Sequence, residues 1–521
     1  MTTCARACSR ASDDACTTSP TRASRHTWTS LWRDSPPDAT PTFSPTASHR
    51  PSVKIAFIIQ RYGGEILGGS EYHCRLIAER LAGRHQVEVL TTCARDYVTW
   101  KNEYPEGEDR IRGVTVRRFA NDRERDIASF NEYSDWIFHN DHSPADEAEW
   151  LKRQGPWSPG LQSYLEQHHR SYDALIFFTY LYAPTVLGLK VDPARSILVP
   201  TAHDEPAIRL GIYRDVFSAP AGIAYNTTVE RGFLKQLFST TAKLEETVGC
   251  GVELPPSQRH DVTTTAQSTE PSDHDDRSGE VGPNGNGAVG ARLSSRGAVF
   301  RRRHRLYGPL VLYGGRIDPG KGCEELIDYF NTYAESEGDA SLVLMGMKLM
   351  PIPDAPHIRF AGLLSETERF EALEAATVVV VPSPFESLSL LALESFSIGT
   401  PVLANARSEV VMDHCQRSNG GLYYANRDEF RECLRLLVQD AHLRAALGRN
   451  GRDYVRTNYR WDVIMGKYDR LIAGLQPARS QTRGRGNSGR SGGNRGSGSR
   501  SDGNRSGSSR SGGRRRSGRK N

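Results

Sequence analysis

In two separate parts of the chain, short apolar runs alternate with stretches whose apolar residues recur at helical spacing. This alternation limits the folds that the chain can adopt. In the first part an apolar run at 54–59 leads into a glycine-rich loop, a helical pattern to residue 81 and a second run at 87–90. The alternation restarts at 309–313. Strand, helix and strand in succession form a βαβ unit. The sequence therefore predicts an α/β protein of two Rossmann-like domains, with ligands at the carboxyl ends of the strands in a cleft between them.

The length of 521 residues agrees with two domains, because a single hydrophobic core stops growing at roughly 250–300 residues. We place the domains at 53–254 and 305–475. Three stretches have few residues to bury and are predicted to be disordered. They are an N-terminal extension at 1–52, a low-complexity linker or insertion at 255–304, and a tail at 476–521 that is rich in Arg, Gly and Ser.

The net charge of +5 comes from the tail, which holds twelve arginines and one lysine against one aspartate. The rest of the chain is mildly acidic, which gives no general argument for nucleic-acid binding. Arginines recur every five residues from 485 to 510, a period of neither helix nor strand. A solvated tail is the favoured interpretation, and weak contact with RNA or with an anionic membrane surface is the alternative.

Cysteine usage and the length of the apolar runs indicate the cellular compartment in which the protein is expected. Nine cysteines form no CxxC pair, which favours reduced thiols over a disulfide framework. No apolar run approaches the roughly 20 residues that span a bilayer. The early acidic residues Asp13 and Asp14 are untypical of a secretory signal. We expect a cytoplasmic protein, with peripheral contact to the inner face of the membrane as a further expectation.

The segment from residue 381 to 401 carries two glutamates in a strand, turn and helix pattern. A helix is predicted to begin near Ser387 and to stop at Gly399, just before a proline. The amides of Leu388 and Ser389 would then favour a phosphate or diphosphate at the helix N-terminus. Glu386 and Glu394 lie eight residues apart, roughly 12 Å along a helix, and can accept hydrogen bonds from sugar hydroxyls at either end of that diphosphate.

A glycine-rich loop between a predicted strand and a predicted helix supplies two cations. Arg316 and Lys321 lie among Gly314, Gly315, Gly320 and Gly322, which allow close approach of a diphosphate to the backbone. The loop nearly matches a P-loop. However, Gly322 stands where a P-loop needs a Ser or Thr hydroxyl for magnesium, which argues against an NTPase.

The combination of Gly-Arg-x4-Lys-Gly with Glu-x7-Glu and a following Gly-Thr-Pro resembles family 4 of the retaining glycosyltransferases, the group 1 glycosyltransferases, which have the two-domain glycosyltransferase-B fold. The resemblance implies that the first domain binds the acceptor and the second a nucleotide-sugar donor. It implies that Arg316 and Lys321 bind the donor diphosphate, that Glu386 contacts the transferred sugar, and that Glu394 holds the ribose hydroxyls. The chain departs from the family pattern at 387–389, where Ser-Leu-Ser replaces the commoner Gly-Phe-Gly.

The first domain contributes further candidates by the same resemblance. Gly68 and Gly69 match the family's glycine loop, with Ser70 as the expected N-cap of the next helix. His203 matches the histidine that touches the transferred sugar, and a structural role for it is the alternative. No metal or cofactor is expected, because the one DxD-like sequence, from Asp273 to Asp275, follows no strand.

The predicted function is transfer of a sugar from a UDP- or GDP-linked donor to a hydroxyl of a glycan, lipid or small molecule, with retention of configuration and without a metal. A catalytically silent nucleotide-sugar-binding protein, a nucleotide-sugar epimerase and an RNA-associated protein are the alternatives. The side chains of Trp150, Trp157 and residues 180–182 are candidates for stacking on an acceptor sugar or for plain packing.

Overall fold

The computed structural model describes residues 52–66, 68–254, 295–338 and 340–475. The extension at 1–51, most of the predicted linker and the arginine-rich tail lie outside these ranges, so the predictions made for them stay predictions.

Two sheets form the core. The first contains β1 (Lys54–Ile58), β2 (Gln86–Thr92), β3 (Gly107–Ile111), β4 (Val114–Phe119), β5 (Ala174–Phe178), β6 (Ser196–Val199), β7 (Gly222–Tyr225) and β8 (Leu244–Thr247). The second contains β9 (Leu310–Gly314), β10 (Ser341–Met345), β11 (Ile358–Gly362), β12 (Val378–Val381), β13 (Val402–Asn405) and β14 (Gly421–Tyr424).

Helices cover both sheets. They are α1 (Gly69–Ala82), α2 (Ile127–His139), α3 (Pro144–Gln154), α4 (Pro159–His168), α5 (Ala183–Gly188), α6 (Tyr213–Ser218), α7 (Thr228–Leu237), α8 (Ser295–Arg303), α9 (Cys323–Glu337), α10 (Glu366–Ala375), α11 (Leu390–Ile398), α12 (Glu409–Ser418), α13 (Arg427–Gln439), α14 (Ala441–Asn458) and α15 (Trp461–Leu475).

The strand orders explain where a ligand can bind. The first sheet runs β3-β4-β2-β1-β5-β6-β7-β8 and the second β11-β10-β9-β12-β13-β14. The strand pairs are parallel except for the β3–β4 edge pair. In each sheet the order reverses beside the first strand of the domain, β1 or β9. The crevice outside the carboxyl ends of the strands at such a reversal is the usual ligand site of an open α/β sheet. The predicted α/β architecture with two Rossmann-like halves is confirmed.

Buried parallel strands and capped helix ends follow from local sequence. All four valines of β12 are buried, as expected for a strand covered on both faces. Helix α10 starts with a capping box in which Ser365 and Glu368 bond reciprocally. Helix α11 stops at Gly399, which has a left-handed φ of 87°, as its sequence predicted.

Two segments differ from the predicted domain boundaries. The predicted linker includes α8, which packs against α10 and buries Phe300 completely, although its neighbours are mostly Arg and small residues. Burial of Phe300 and the bonds from Arg301 to the Ala375 carbonyl hold a helix that composition argued against. Helix α15 lies within the predicted second domain, 305–475, yet it packs on β7, β8 and α1 of the first domain. The chain therefore returns to the first domain before residue 475.

None of the described helices combines the length and apolar character needed to cross a membrane. The six cysteines within the described ranges carry free thiols.

Candidate functional site

The loops after β9 and β12 bring Lys321 and Glu386 together. Lys321 ends a short 3₁₀ turn, Pro319–Lys321, whose backbone is fixed by the carboxylate of Asp318. Its Nζ lies 2.7 Å from Oε1 of Glu386 and 3.5 Å from Oγ of Ser383. Two residues 65 positions apart in the chain thus form one ion pair at the carboxyl edge of the second sheet.

Gly322 shows how close these loops lie. Its φ is 73°, and a Cβ at this position would overlap the carbonyl oxygen of Pro382 in the turn after β12. Glycine is therefore required both by backbone conformation and by space. Gly322, which argues against a P-loop, is also the residue that allows the loops after β9 and β12 to meet.

Arg316 lies beside this pair but makes other contacts. Its Nε is 3.3 Å from Oδ2 of Asp318, and its guanidinium stacks on the ring of Tyr97 in the first domain, 5.3 Å from the centroid. Burial acts to lower the pKa of Arg316, but Asp318, Tyr97 and Tyr313 together outweigh burial, so the pKa is raised. The side chain stays a cation at the mouth of the cleft.

The start of α11 differs from the prediction. The helix begins at Leu390 rather than near Ser387, so the amides of Leu388 and Ser389 do not belong to its first turn. Leu388 is buried and its carbonyl accepts a bond from Nε2 of His414 at 2.9 Å, which holds this stretch in a non-helical path. The helix amides available to an anion are those at 390–392 instead.

Ser389 takes a strained backbone conformation at the head of α11. Its φ of 61° is in the left-handed region, and its side chain makes no cap hydrogen bond to the helix. Its Oγ is buried without a partner within the described residues. Strained non-glycine backbone often marks a functional site. Thr179 and Thr201 share this feature at the carboxyl ends of β5 and β6, with φ of 59° and 51°.

The second predicted glutamate, Glu394, forms an ion pair with Arg369. It is 4% exposed, and its Oε1 lies 2.9 Å from Nη2 of Arg369 on α10. Burial raises its pKa, and the charge of Arg369 opposes the rise. Because residues 386–389 are not helical, the predicted spacing of roughly 12 Å from Glu386 does not apply to the first half of the segment.

Across the cleft, the loop after β1 carries the predicted glycines. Gly68, rather than Ser70, is the N-cap of α1, and Ser70 instead donates its hydroxyl to Glu71. A side chain on Gly68 would overlap the carboxylate of Glu71, which also accepts hydrogen bonds from Arg61. Gly69 has open space around it. Gly68 therefore serves close packing of the loop, while Gly69 leaves room in front of the helix.

His203 follows β6 and faces the second domain. Its imidazole stacks on the ring of Phe385, the residue before Glu386, with centroids 5.7 Å apart. The backbone before it is held by Glu230 of α7, whose Oε1 accepts the Ala202 amide at 2.6 Å. The structure thus brings His203 to the loop of Glu386, as the resemblance implied for its position.

The aromatic candidates in the first domain separate into two kinds. Trp150 and Tyr180 are each 1% exposed and belong to the core. Trp157 is half-buried and lines a cavity of about 200 Å³ together with Trp100 and the basic side chains of Lys152 and Arg153. Tyr182 is also half-buried, with its ring edge-on to Trp100. Trp157 and Tyr182 are therefore the aromatic candidates that keep exposed surface.

Several residues of this region were not predicted, namely Tyr72, Tyr97, Glu230, Arg369 and His414. Glu230 carries one weak local signal, because Thr227-x-x-Glu230 has the spacing of a capping box. In the structure its carboxylate reaches past the N-cap to the amides of Asn226 and Ala202. The other four act through partners distant in sequence. Within the described residues no group of three or more His, Cys, Asp or Glu side chains is placed to hold a metal ion.

Solved structures with the same architecture define the class of fold. The chain aligns with sucrose-phosphate synthase from Thermosynechococcus elongatus at a TM-score of 0.55 and 16% identity, covering 81% of this chain and all of that one. It aligns with Anabaena Alr3699/HepE in complex with UDP-glucose at a TM-score of 0.53 and 16% identity, covering 81% and 99%. The protein has the glycosyltransferase-B fold.

Sequence comparison finds a family match within the second domain. Residues 308–440 match the model described as glycosyl transferases group 1. A GDP-mannose-dependent alpha-(1-6)-phosphatidylinositol monomannoside mannosyltransferase of Mycobacterium tuberculosis is 27% identical over 201 residues, which cover 35% of this chain and 52% of that one. An uncharacterized glycosyltransferase of Methanocaldococcus jannaschii, MJ1607, is 25% identical over 425 residues, which cover 79% and 96%. The chain spans about half the length of the first curated relatives it matches.

Proposed function

We propose that the protein is a retaining glycosyltransferase that moves a sugar from a nucleoside-diphosphate donor to a hydroxyl acceptor without a metal ion. The Lys321–Glu386 ion pair carries this proposal, because it joins a cation for the diphosphate to an acceptor of sugar hydroxyl bonds at one edge of the second sheet. Arg316 adds a second cation at the same sheet edge. The N-terminus of α11 adds backbone amides that favour negative charge.

The side chains divide the donor between them. Arg316 and Lys321 face the diphosphate, Glu386 the transferred sugar, and Glu394 the ribose. His203 approaches the sugar from the first domain. Its ring contacts Phe385 of the second domain, the residue before Glu386. Gly68 allows the loop to pack closely against Glu71, and Gly69 leaves the head of α1 open to the donor or acceptor.

The reaction breaks the bond between the anomeric carbon and the leaving phosphate oxygen, whose electron pair stays with the diphosphate. The acceptor oxygen bonds the same face of the anomeric carbon and its proton passes to the leaving phosphate oxygen. The products are a glycoside and a nucleoside diphosphate. Cations and helix amides that stabilise the charge building on the leaving group lower the barrier more than they tighten binding of the ground state.

Names of relatives guide the choice of donor and acceptor. Some are GDP-mannose-dependent, whereas a structural neighbour was solved with UDP-glucose. Acceptors named among the relatives include a phosphatidylinositol monomannoside and D-inositol 3-phosphate. We propose a glycan or lipid-linked acceptor bound on the first domain, where Trp157 is available for stacking, with peripheral contact to a membrane as part of that proposal.

Thermal melting against UDP-, GDP- and dTDP-sugars tests the proposal. A donor present at 100 times its dissociation constant stabilises the fold by about 2.7 kcal/mol, which raises the melting temperature measurably. Matched nucleoside monophosphates are the control, since they lack the phosphate that the cations would bind. No shift with any nucleotide sugar would refute the donor site. Change of the donor sugar without any acceptor, followed by NMR, would instead identify an epimerase.

A further inference from the structure

Glu394 and Arg369 form an ion pair that the donor site alone does not explain. Glu394 projects from the middle of α11 and is almost fully buried, while Arg369 comes from α10, 25 residues earlier. Their closest atoms are 2.9 Å apart. An isolated buried carboxylate tends to take up a proton, so the neighbouring cation decides which form Glu394 adopts.

Few titratable groups face Glu394, so it is clear which of them raise and which lower its pKa. Arg369 and Glu366 approach from α10, Tyr72 from α1, and Cys250 from the segment after β8. Burial and the charge of Glu366 raise the pKa of Glu394 and Arg369 lowers it, so with the arginine in place the pKa is still above its ordinary value. Among these facing groups Arg369 is the one cation. Its loss leaves the burial and the like charge unopposed.

The same guanidinium crosses the cleft. Nη2 of Arg369 donates to the hydroxyl of Tyr72 on α1 at 2.9 Å, and the guanidinium lies 5.1 Å from the centre of the Tyr72 ring. Helix α1 begins beside Gly68 and Gly69. One arginine therefore joins the carboxylate on α11 to the helix of the first domain whose head carries the glycine loop.

We propose that Arg369 is a positioning residue for the nucleotide end of the donor: it holds the Glu394 carboxylate as an anion that accepts the ribose hydroxyls, and it ties that carboxylate to α1 of the first domain. The proposal rests on the proposed function. A carboxylate has about four acceptor positions, and Arg369 occupies one of them on Oε1. The remaining positions suit a pair of neighbouring hydroxyls. A protonated Glu394 would lose acceptor capacity and bind that pair poorly.

The test measures nucleotide affinity against pH by titration calorimetry. The probe is whichever of UDP and GDP raises the melting temperature of the wild-type protein, together with its 2′-deoxy analogue. Between pH 6 and 8.5 the wild-type affinity should change little. In R369M it should weaken as the pH falls, by up to about tenfold for each pH unit below the new pKa. Preference for the ribonucleotide over the 2′-deoxy analogue should disappear in R369M at pH 6 and return at pH 8.5.

Three variants separate charge from packing. R369K restores a cation and should restore the flat pH profile. Y72F removes the cross-cleft hydrogen bond but keeps the charge, so its affinity should fall modestly without acquiring a pH dependence. E366Q removes the like charge and should also stay flat. A purely structural role for Arg369 would weaken binding equally at every pH.

The outcomes that overturn the inference differ from those that overturn the function. If the wild type binds neither UDP nor GDP, the proposed function falls and this inference with it. If the wild type binds and R369M shows the wild-type pH profile, only the inference falls. Should R369M fail to fold, R369Q takes its place, because its amide can still donate to Glu394 and Tyr72 but carries no charge. A flat profile in R369Q would overturn the inference equally.

Discussion

Acid should loosen the loop that leads into α11, because a buried neutral histidine holds it. His414 of α12 has no exposed surface, and its Nε2 donates to the carbonyl oxygen of Leu388 at 2.9 Å. Its Nδ1 lies 3.0 Å from the hydroxyl of Tyr454, which can donate to it. Both ring nitrogens are therefore satisfied in the neutral form. Burial lowers the pKa of His414 from 6.5 to about 4, against the carbonyl contact that raises it.

The size of the expected loss of stability follows from the difference in proton binding at His414 between the folded and the unfolded protein. The unfolded chain binds a proton at this histidine near pH 6.5, whereas the folded protein binds it only near pH 4. Unfolding therefore takes up a proton between these values, and stability falls as the pH falls. From pH 7 to pH 5 the loss from one such histidine is about 2 kcal/mol, and it approaches about 3 kcal/mol below pH 4. His73, with a pKa also lowered to about 4 by burial, should add a similar loss.

The assay is urea unfolding at pH 7 and pH 5, followed by circular dichroism, with H414Q compared to the wild type. Glutamine can still donate to the Leu388 carbonyl but does not titrate, so the drop in unfolding free energy between the two pH values should be smaller by about 2 kcal/mol. H442Q is the matched control, because His442 is exposed on α14 of the same domain. An H414Q protein that loses as much stability as the wild type between pH 7 and pH 5 would refute the reasoning.

Three further predictions concern the loops around the donor site. K321A and E386A should each lower turnover by orders of magnitude while circular dichroism shows an intact fold. K321A removes a cation for the diphosphate and leaves the Glu386 carboxylate unpaired beside it, whereas E386A removes the acceptor of the sugar hydroxyl bonds. Near-wild-type release of nucleoside diphosphate by both variants would contradict the site. S389G should raise stability by about 1 kcal/mol, since glycine adopts a φ of 61° without strain, and a lower melting temperature would count against that strain. G322A should lower the melting temperature clearly more than G320A, because only Gly322 combines a left-handed φ with contact to a backbone carbonyl, and equal losses would contradict this account.

Much of the fold was predictable because buried parallel strands have a strong local pattern. The apolar runs at 54–59, 87–90 and 309–313 became β1, β2 and β9, with bounds that differ by no more than two residues. Elements with a weaker pattern were missed. Strand β14 exposes Tyr423 and contains only four residues, so no apolar run marks it. Helix α8 is held by the buried Phe300 and by hydrogen bonds from Arg301 to the carbonyl of Ala375, in a stretch whose residues gave no apolar period.

Residues of the candidate site could be predicted only where each belongs to a local sequence motif. Lys321 and Glu386 belong to two such motifs, and the structure places them in contact. Arg369 has no such pattern. Its partner Tyr72 is 297 residues away, and the pair exists only because α1 and α10 face each other across the cleft. The start of α11 was misjudged for a related reason, since its path depends on a hydrogen bond from His414, which lies 26 residues beyond Leu388.

The contacts across the cleft involve the same side chains that the donor needs. Arg316 stacks on Tyr97, and Arg369 bonds Tyr72 as well as Glu394. A diphosphate arriving at Arg316 offers a stronger partner than an aromatic face, because charge-assisted hydrogen bonds exceed a cation–π contact in strength. Under the proposed function we therefore expect donor binding to alter the contacts that join the two domains, and by reciprocity these contacts to alter donor affinity. Substitution of Tyr97 or Tyr72, outside the nucleotide-binding motifs, should consequently alter donor affinity through the geometry of the cleft.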